Sequence, residues 1–447
     1  MLKNKQLLSL IILLILFLFL QISQLNSHYS YGDDFAQYIM QSKALFDSSS
    51  TEFEIQSQLN SYSQTQIGPN AYPIGYPAAL KIIEVFSGGE FKYYKILNII
   101  FFSLYILFSF LIISKKSNIY ALLVSCLFLF SEEIMTLSHS IESDLMFALL
   151  CLISLYFLEN KNRPFISLLI AFLTLLIKVQ GLVFLFAVTV YLYQKKILNK
   201  LRLSYLIFSV LYIFVYLSPY RYVLGEYKDH FRQFSPYFLN FRYNLNILSD
   251  SMLPEFIQNS LFNYFIFSLL VYTLIKTLLG LNNISIHNLL ILGYFLFFSL
   301  YLNQQGVRFL LVLLPSIFIL MFELLDFKSL KINLGVYLIA SLVIINLQFP
   351  LNVNLPNEAF NDESNRLYSF INSNVDKKKY ISADKPRLIR LATSKNAVYL
   401  EKGSILKNPD YLIISEVDLI KYSSELENYK LIEKIGQFNI YELVDNK

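Results

Sequence analysis

The sequence predicts a polytopic α-helical membrane protein of about eleven transmembrane helices with a small C-terminal α/β soluble domain. Three observations carry this. Long apolar runs recur up to about Pro350: 55% of the 447 residues are hydrophobic and 15% charged, against roughly 25% charged in soluble domains, and the mean hydropathy is +0.49. Lys and Arg fall in short clusters between those runs, as the positive-inside rule places them in cytoplasmic loops. Beyond Pro350 the apolar runs give way to the shorter periods of a soluble domain. The net charge of +5 is therefore a membrane-topology feature and not a nucleic-acid signature. Cys126 and Cys151 lie inside apolar runs and indicate neither a disulfide framework nor a metal site. The four histidines show no ligand spacing.

Lys3 and Lys5 set the N-terminus on the cytoplasmic side, and no small-residue cleavage site follows the first apolar run, so it reads as an uncleaved span ending near Leu25. The loop from Ser27 to about Tyr94 is then external. It opens with YGDDFAQYIMQSKALFD (31–47), where Phe35, Ile39 and Leu45 recur at helical spacing, and continues through a long polar stretch. Spans follow at about 96–113, 119–130 and 144–158, with cytoplasmic turns at SKKSN and ENKNRP. The apolar stretch from Phe165 to Tyr193 would be about 43 Å long as one helix, too long for a simple span. Basic residues flank it at both ends, so two short helices breaking at Lys178-Val179-Gln180-Gly181 are expected, the alternative being one tilted helix.

A span at about 204–217 leads to a second external loop, 218–255, rich in Tyr, Phe and Arg and suited to an interfacial helix. Spans at about 256–276, 288–302, 309–325 and 332–349 complete the membrane domain, residues 1–350, and leave the C-terminus outside. In residues 351–447, Asp362 to Asn372 reads as a capped amphipathic helix. KYISAD, NAVYL and DYLIISE read as strands, PRLIRLAT as a Pro-started helix, and KLIEKI and FNIYELV as a hairpin around Gly436.

With this topology the notable polar groups collect on the external side. Asp33 and Asp34 open the first loop; Glu132, Glu133, His139, Glu142 and Asp144 crowd the second; Lys178 lies at the hairpin tip, Arg221 opens the fourth loop, and Arg308 closes the NQQGVR turn. Adjacent acids at a membrane surface are costly unless paired or functional. Carboxylates could act as base towards a hydroxyl while Lys or Arg stabilises a phosphate leaving group, which suits an anionic, membrane-borne substrate. Each residue has a plainer reading. Asp33 could cap a helix, Asp34 be its solvated partner, and Asp144 an N-cap; Lys178 and Arg308 could anchor the interface, and His139 be a polar loop residue. Pro73, Gly75 and Pro77 suit a turn that starts a helix. Tyrosines such as Tyr29, Tyr31, Tyr38 and Tyr76 could stack on a sugar, though the chain has 33 of them.

The stretches GDDFAQYIMQSKALF, AYPIGYPAAL (71–80) and IESDLMFALL (141–150), with LLIKVQGLVFL and QGVRFLLVLLPSIF, resemble in kind and order the GT-C glycosyltransferases, among them protein O-mannosyltransferases and the aminoarabinose transferases of lipid A. Where that family more often has two prolines before Gly-Tyr-Pro, this chain has Pro73-Ile74. The resemblance implies a GT-C-type membrane fold and transfer of a sugar from a polyprenyl-phosphate donor at the external face, usually with inversion. The acceptor would be a glycolipid, a polysaccharide precursor or a protein. It implies Asp33 as acceptor-activating base, Asp34 as the second acid, and Asp144 (or neighbouring Glu142) as an acid shaping the site. Lys178 and Arg308, with Arg221 as a weaker candidate, would bind the donor phosphate. No cofactor is required, although two acids could support a divalent metal, which some relatives use. A multi-pass protein of the cytoplasmic membrane is implied. The rival readings are a surface-polysaccharide polymerase or ligase, kept open by Arg221, Arg232 and Arg242, and a lipid or sugar transporter, disfavoured by the lack of repeats.

Overall fold

The structure is a computed structural model. It describes residues 2–29, 34–45, 72–199, 284–300, 306–327, 357–400 and 409–444, with isolated positions between 243 and 275 and between 332 and 343. The helices in chain order are α1 (Leu2–Ser23), α2 (Asp34–Ala44), α3 (Gly75–Ser87), α4 (Phe91–Ile113), α5 (Asn118–Phe130), α6 (Glu132–Thr136), α7 (Asp144–Glu159), α8 (Pro164–Leu173), α9 (Gly181–Gln194), α10 (Ile286–Leu300), α11 (Leu314–Leu324), α12 (Asp362–Asn374) and α13 (Pro386–Thr393). The C-terminal strands are β1 (Tyr380–Ala383), β2 (Asn396–Tyr399), β3 (Tyr411–Ser415), β4 (Tyr429–Ile435) and β5 (Phe438–Leu443). The chain divides into two units: one takes in Met1–Leu25 and most of residues 95–353, the other joins residues 26–94 to 354–447.

The first unit is helical. Among the described residues, Lys5–Ser23 and Phe91–Ile113 are long and apolar enough to cross a membrane; α5 and the segment Glu132–His139 add a third if that pair, bent by 66°, counts as one span. Apolar side chains of α1 such as Leu16 (61% exposed) and Phe19 (78%) face outward, as lipid-facing positions would. Polar side chains knit the helices where hydrocarbon would leave them unsatisfied: the Ser154 hydroxyl of α7 donates to the Ser167 carbonyl of α8 at 2.8 Å, and Tyr105 of α4 donates to the Leu311 carbonyl at 2.8 Å.

The apolar stretch from 165 to 193 is broken, as its length and flanking charges require. α8 ends in a 3-10 turn (Thr174–Leu176), α9 starts at Gly181, and Lys178 falls in the gap. A single tilted helix is not adopted. Gly181 is needed at the break because a Cβ there would lie 2.7 Å from Thr174 Oγ1 and 2.9 Å from the Leu175 backbone nitrogen.

In the second unit, α2 and α3 pack together, with Gln41 of α2 exchanging both amide hydrogen bonds with the Tyr72 backbone (3.0 and 3.2 Å). The sheet has strand order β2-β1-β3-β5-β4. β1 pairs in parallel with β2 and β3, whereas β5 runs antiparallel to both β3 and β4. The β4–β5 hairpin turns at Gly436, whose φ of +56° favours glycine. Asn361 caps α12, its side chain accepting from Ser364 N at 2.7 Å. These are the helix and strand positions expected from the sequence; β1 and β3 are buried almost throughout, as parallel pairing demands. The backbone N–H groups of Glu358 and Ala359 both donate to the Tyr29 carbonyl at 3.0 Å, joining the segment before α2 to that before α12.

Candidate functional site

The first unit holds two acid–base pairs around Phe309. The turn from Ser140 to Ser143 delivers Glu142 and, at the first position of α7, Asp144. Asn98 of α4, 1% exposed, fixes this turn by donating to the Glu142 carbonyl at 2.9 Å and to that of Ser140. The 3-10 break delivers Lys178, whose Nζ lies 2.5 Å from Asp144 Oδ1 and 4.6 Å from the centre of the Phe309 ring. The turn Gly306–Phe309 delivers Arg308, whose guanidinium lies 2.7 Å from Glu142 Oε1 and 5.6 Å from the same ring. Phe309 stacks on Phe298 of α10 at 5.5 Å.

The Asp144 and Lys178 side chains are 4% and 12% exposed, and those of Glu142 and Arg308 21% and 20%. These are desolvated pairs, in which charges act far more strongly than in water. Lys178 and Arg308 each meet a carboxylate rather than solvent. Asp144 is not a helix cap: Ser143 occupies the cap position, and Asp144 turns its carboxylate to Lys178. Both Asp144 and its neighbour Glu142 belong to this cluster. His139, expected as a polar loop residue, is instead buried, its ring hydrogen-bonded to Gln21 of α1.

The second unit holds a different cluster, at the start of α2. One oxygen of Asp34 accepts a hydrogen bond from Tyr72 Oη at 2.8 Å and one from Arg387 of α13 at 3.3 Å. Asp34 is 45% exposed at its side chain, whereas Arg387 is 2% exposed. Asp34 is thus more than a solvated neighbour: it takes a buried guanidinium from the C-terminal domain. Tyr72 stacks on Tyr38 at 4.2 Å, and Tyr76, fully buried, meets Tyr38 edge-on at 5.0 Å. Burial, and after it the Asp34 charge, raise the Tyr72 phenol well above its usual range, so it stays a donor. Tyr76 is a packing residue with no free face. Pro73 and Gly75 lead into α3 as a helix-starting turn.

Asp33, Tyr31 and Arg221, with the polar stretch 46–71 and all but three isolated positions of the Arg-rich loop 218–255, lie outside the described residues. Among the described residues no group of three or more His, Cys, Asp or Glu is arranged to hold a metal ion. Arg387, Tyr72, Asn98 and Phe309 were not among the candidates read from the sequence. Arg387 had one faint signal: PRLIRLAT places two arginines three apart in a short helix that also carries the apolar Leu388 and Ile389.

The fold and these clusters define a mostly helical membrane protein with buried acid–base pairs at helix ends and a small C-terminal sheet. The same fold is seen in the solved structures of ArnT. Two solved structures are similar over the whole chain. One is ArnT from Cupriavidus metallidurans bound to undecaprenyl phosphate, with 10% identity, TM-score 0.54, and 98% of each chain covered. The other is the same protein in the apo state, with 10% identity, TM-score 0.56, and 99% of this chain and 98% of that one covered. No family model matches the sequence. No curated protein matches it either.

Proposed function

We propose that this chain is an integral-membrane glycosyltransferase that takes a sugar from a polyprenyl-phosphate-linked donor. The acceptor is a hydroxyl of a glycolipid, a polysaccharide precursor or a protein at the external membrane face. The observation that carries the reading is the full-length likeness to a protein solved with undecaprenyl phosphate, in a chain whose desolvated Lys178 and Arg308 suit a lipid phosphate. In the reaction the acceptor oxygen bonds to the anomeric carbon as the bond from that carbon to phosphate oxygen breaks. The hydroxyl proton passes to Asp33, and the lipid phosphate leaves as its charge is met by Lys178 and Arg308, with Arg221 a further candidate. Asp144 and Glu142 hold the two cations in fixed geometry, so little reorganisation is needed as charge develops. Asp34, restrained by Tyr72 and Arg387, is the second acid of the pair. The donor carries its own leaving group, so no cofactor is required; a divalent metal, where used, would fall to Asp33 and Asp34.

The finer topology belongs to the same reading: about eleven spans in the cytoplasmic membrane, residues 1–350 as catalytic domain, and residues 351–447 outside as an α/β domain. The test is turnover by purified protein with a panel of polyprenyl-phosphate sugars and acceptors, scored as free lipid phosphate. Donor-dependent release by the wild type, lost in Asp33→Asn with folding retained, supports the reading. Equal release by both removes Asp33 from the chemistry.

A further inference from the structure

The acid–base pairs at Asp144 occupy one end of α7. At its other end, 15 residues and about 22 Å along the helix axis, Glu159 borders a cavity of about 420 Å³ in the same unit. The cavity lies among the C-terminal ends of α4, α7, α9 and α11 and the N-terminal end of α10. Its floor is apolar, formed by the buried Ile112, Leu158, Ile319 and Leu320; its more exposed rim is polar, formed chiefly by Lys115, Lys116, Glu159 and Glu323, with the buried His287 beside Glu159. A volume of this size falls within the range of about 300–1,000 Å³ that holds small amphiphilic ligands. An apolar floor beneath a ring of charges at helix ends fits a ligand with a polar head and a hydrocarbon tail.

The charges decide the sign of that head. Each acid already has a basic partner. Glu159 Oε1 lies 3.3 Å from His287 Nε2, with His287 Nδ1 held by Ser316 at 2.9 Å, and Glu323 lies 2.6 Å from Lys116. Lys115 is held by the backbone carbonyl of Glu159 and by no carboxylate among the described residues. The turns after α4, α7 and α9 add Lys161, Arg163, Lys195 and Lys196, so six Lys and Arg residues stand at the cavity's helix ends against Glu159 and Glu323. The surplus is positive at the end that positive-inside bias assigns to the cytoplasm, where anionic headgroups concentrate. The turn that carries Asn162 is itself fixed: Asn162 takes φ of +51°, and Asn160 donates to the Leu111 carbonyl at 2.8 Å, tying the end of α7 to α4.

We infer that this cavity is a second lipid site, which receives the phosphate of an anionic phospholipid of the inner leaflet on Lys115 with its first methylenes on the apolar floor. The site rests on the proposed membrane topology but not on the glycosyl-transfer chemistry, because it shares no residue with the Asp144 cluster. Occupancy would clamp the ends of α4, α7, α9 and α11 together.

Native mass spectrometry of the full-length protein tests this directly, with short-chain phosphatidylglycerol, the matching diacylglycerol and glycerol 3-phosphate as ligands. One phosphatidylglycerol should bind per chain, with diacylglycerol and glycerol 3-phosphate each much weaker. Lys115→Ala should weaken phosphatidylglycerol about fivefold, the effect of one basic residue at a lipid headgroup. Lys115→Arg should restore it. Equal binding of phosphatidylglycerol and diacylglycerol would overturn the inference. So would Lys115→Ala with unaltered binding, or glycerol 3-phosphate as tight as the lipid, which would make the ligand a soluble phosphate ester.

Discussion

Removing one member of the Asp144–Lys178 pair should cost the protein more than removing both. The pair is 2.5 Å apart, with side chains 4% and 12% exposed, so neither charge can be rehydrated when its partner is lost. Losing one partner of a buried pair costs about 3–5 kcal/mol. Asp144→Asn, which keeps an acceptor for Lys178, should fall at the low end, and Lys178→Met, which strands the carboxylate, higher. In Asp144→Asn/Lys178→Met neither charge of the pair remains, and the loss should shrink to about 1–2 kcal/mol, giving a coupling of at least about 4 kcal/mol. A thiol-reactive dye suits the measurement, because the chain has only two cysteines. One of them, Cys151, is buried on α7, the helix that carries Asp144. Dye uptake on heating should rise earliest in the single mutants and recover towards wild type in the double. Penalties that simply add would mean the two charges do not interact in the folded protein, and the description of this cluster would be wrong.

The Asp34–Arg387 pair is asymmetric, and its mutants should be too. Arg387→Met leaves Asp34, 45% exposed, to water, and should cost about 1–2 kcal/mol, mostly lost packing. Asp34→Asn leaves the 2%-exposed guanidinium facing a neutral group and should cost about 2–3 kcal/mol, read as faster hydrogen exchange in α2 and α13; the reverse order would contradict the burial described. Gly181→Ala should destabilise by about 1–3 kcal/mol, because the new Cβ meets the Leu175 backbone at 2.9 Å, and dye uptake indistinguishable from wild type would refute that close approach. In the C-terminal domain, burial first, and then a hydrogen bond with Asp418 and its charge, push the Asp384 carboxyl up to about 6. The folded chain therefore holds a proton that the unfolded chain releases above about pH 4, and the Asp384 contribution to stability falls as pH rises through 6. Asp418 runs the other way: the Ser415 hydroxyl at 2.8 Å holds it low, so its contribution is lost as pH falls. Amides of β1 and β3 should be better protected at pH 5 than at pH 7, after correction for intrinsic rates, and Asp384→Asn should remove the difference.

Local pattern was legible in the sequence and long-range pairing was not. The helix α12, the strands β1, β2 and β3 and the turn at Gly436 follow from periodicity and turn chemistry, and they stand where those signals put them. The break at Lys178 was legible from length and flanking charge, and it led to the expectation that Lys178 and Asp144 lie on one side. That they touch depends on the Asn98-fixed turn and on the close packing at Gly181, which no spacing rule encodes. Arg387 lies 353 residues from Asp34, and nothing in a short amphipathic helix says which buried acid its arginine will meet. His139 looked polar because its neighbours are; its burial depends on α1 offering Gln21 at the right height.

Holding a polyprenyl phosphate is the step on which the proposed reaction depends, and equilibrium binding measures it most directly. Undecaprenyl phosphate and undecaprenol should be titrated into the purified full-length protein, wild type and Arg308→Gln. Saturable binding of the phosphate, much weaker binding of the alcohol, and clear loss of that preference in Arg308→Gln are the predicted result. Equal binding of phosphate and alcohol by the wild type would mean that the basic groups around Phe309 do not receive a lipid phosphate, and would contradict the proposed function.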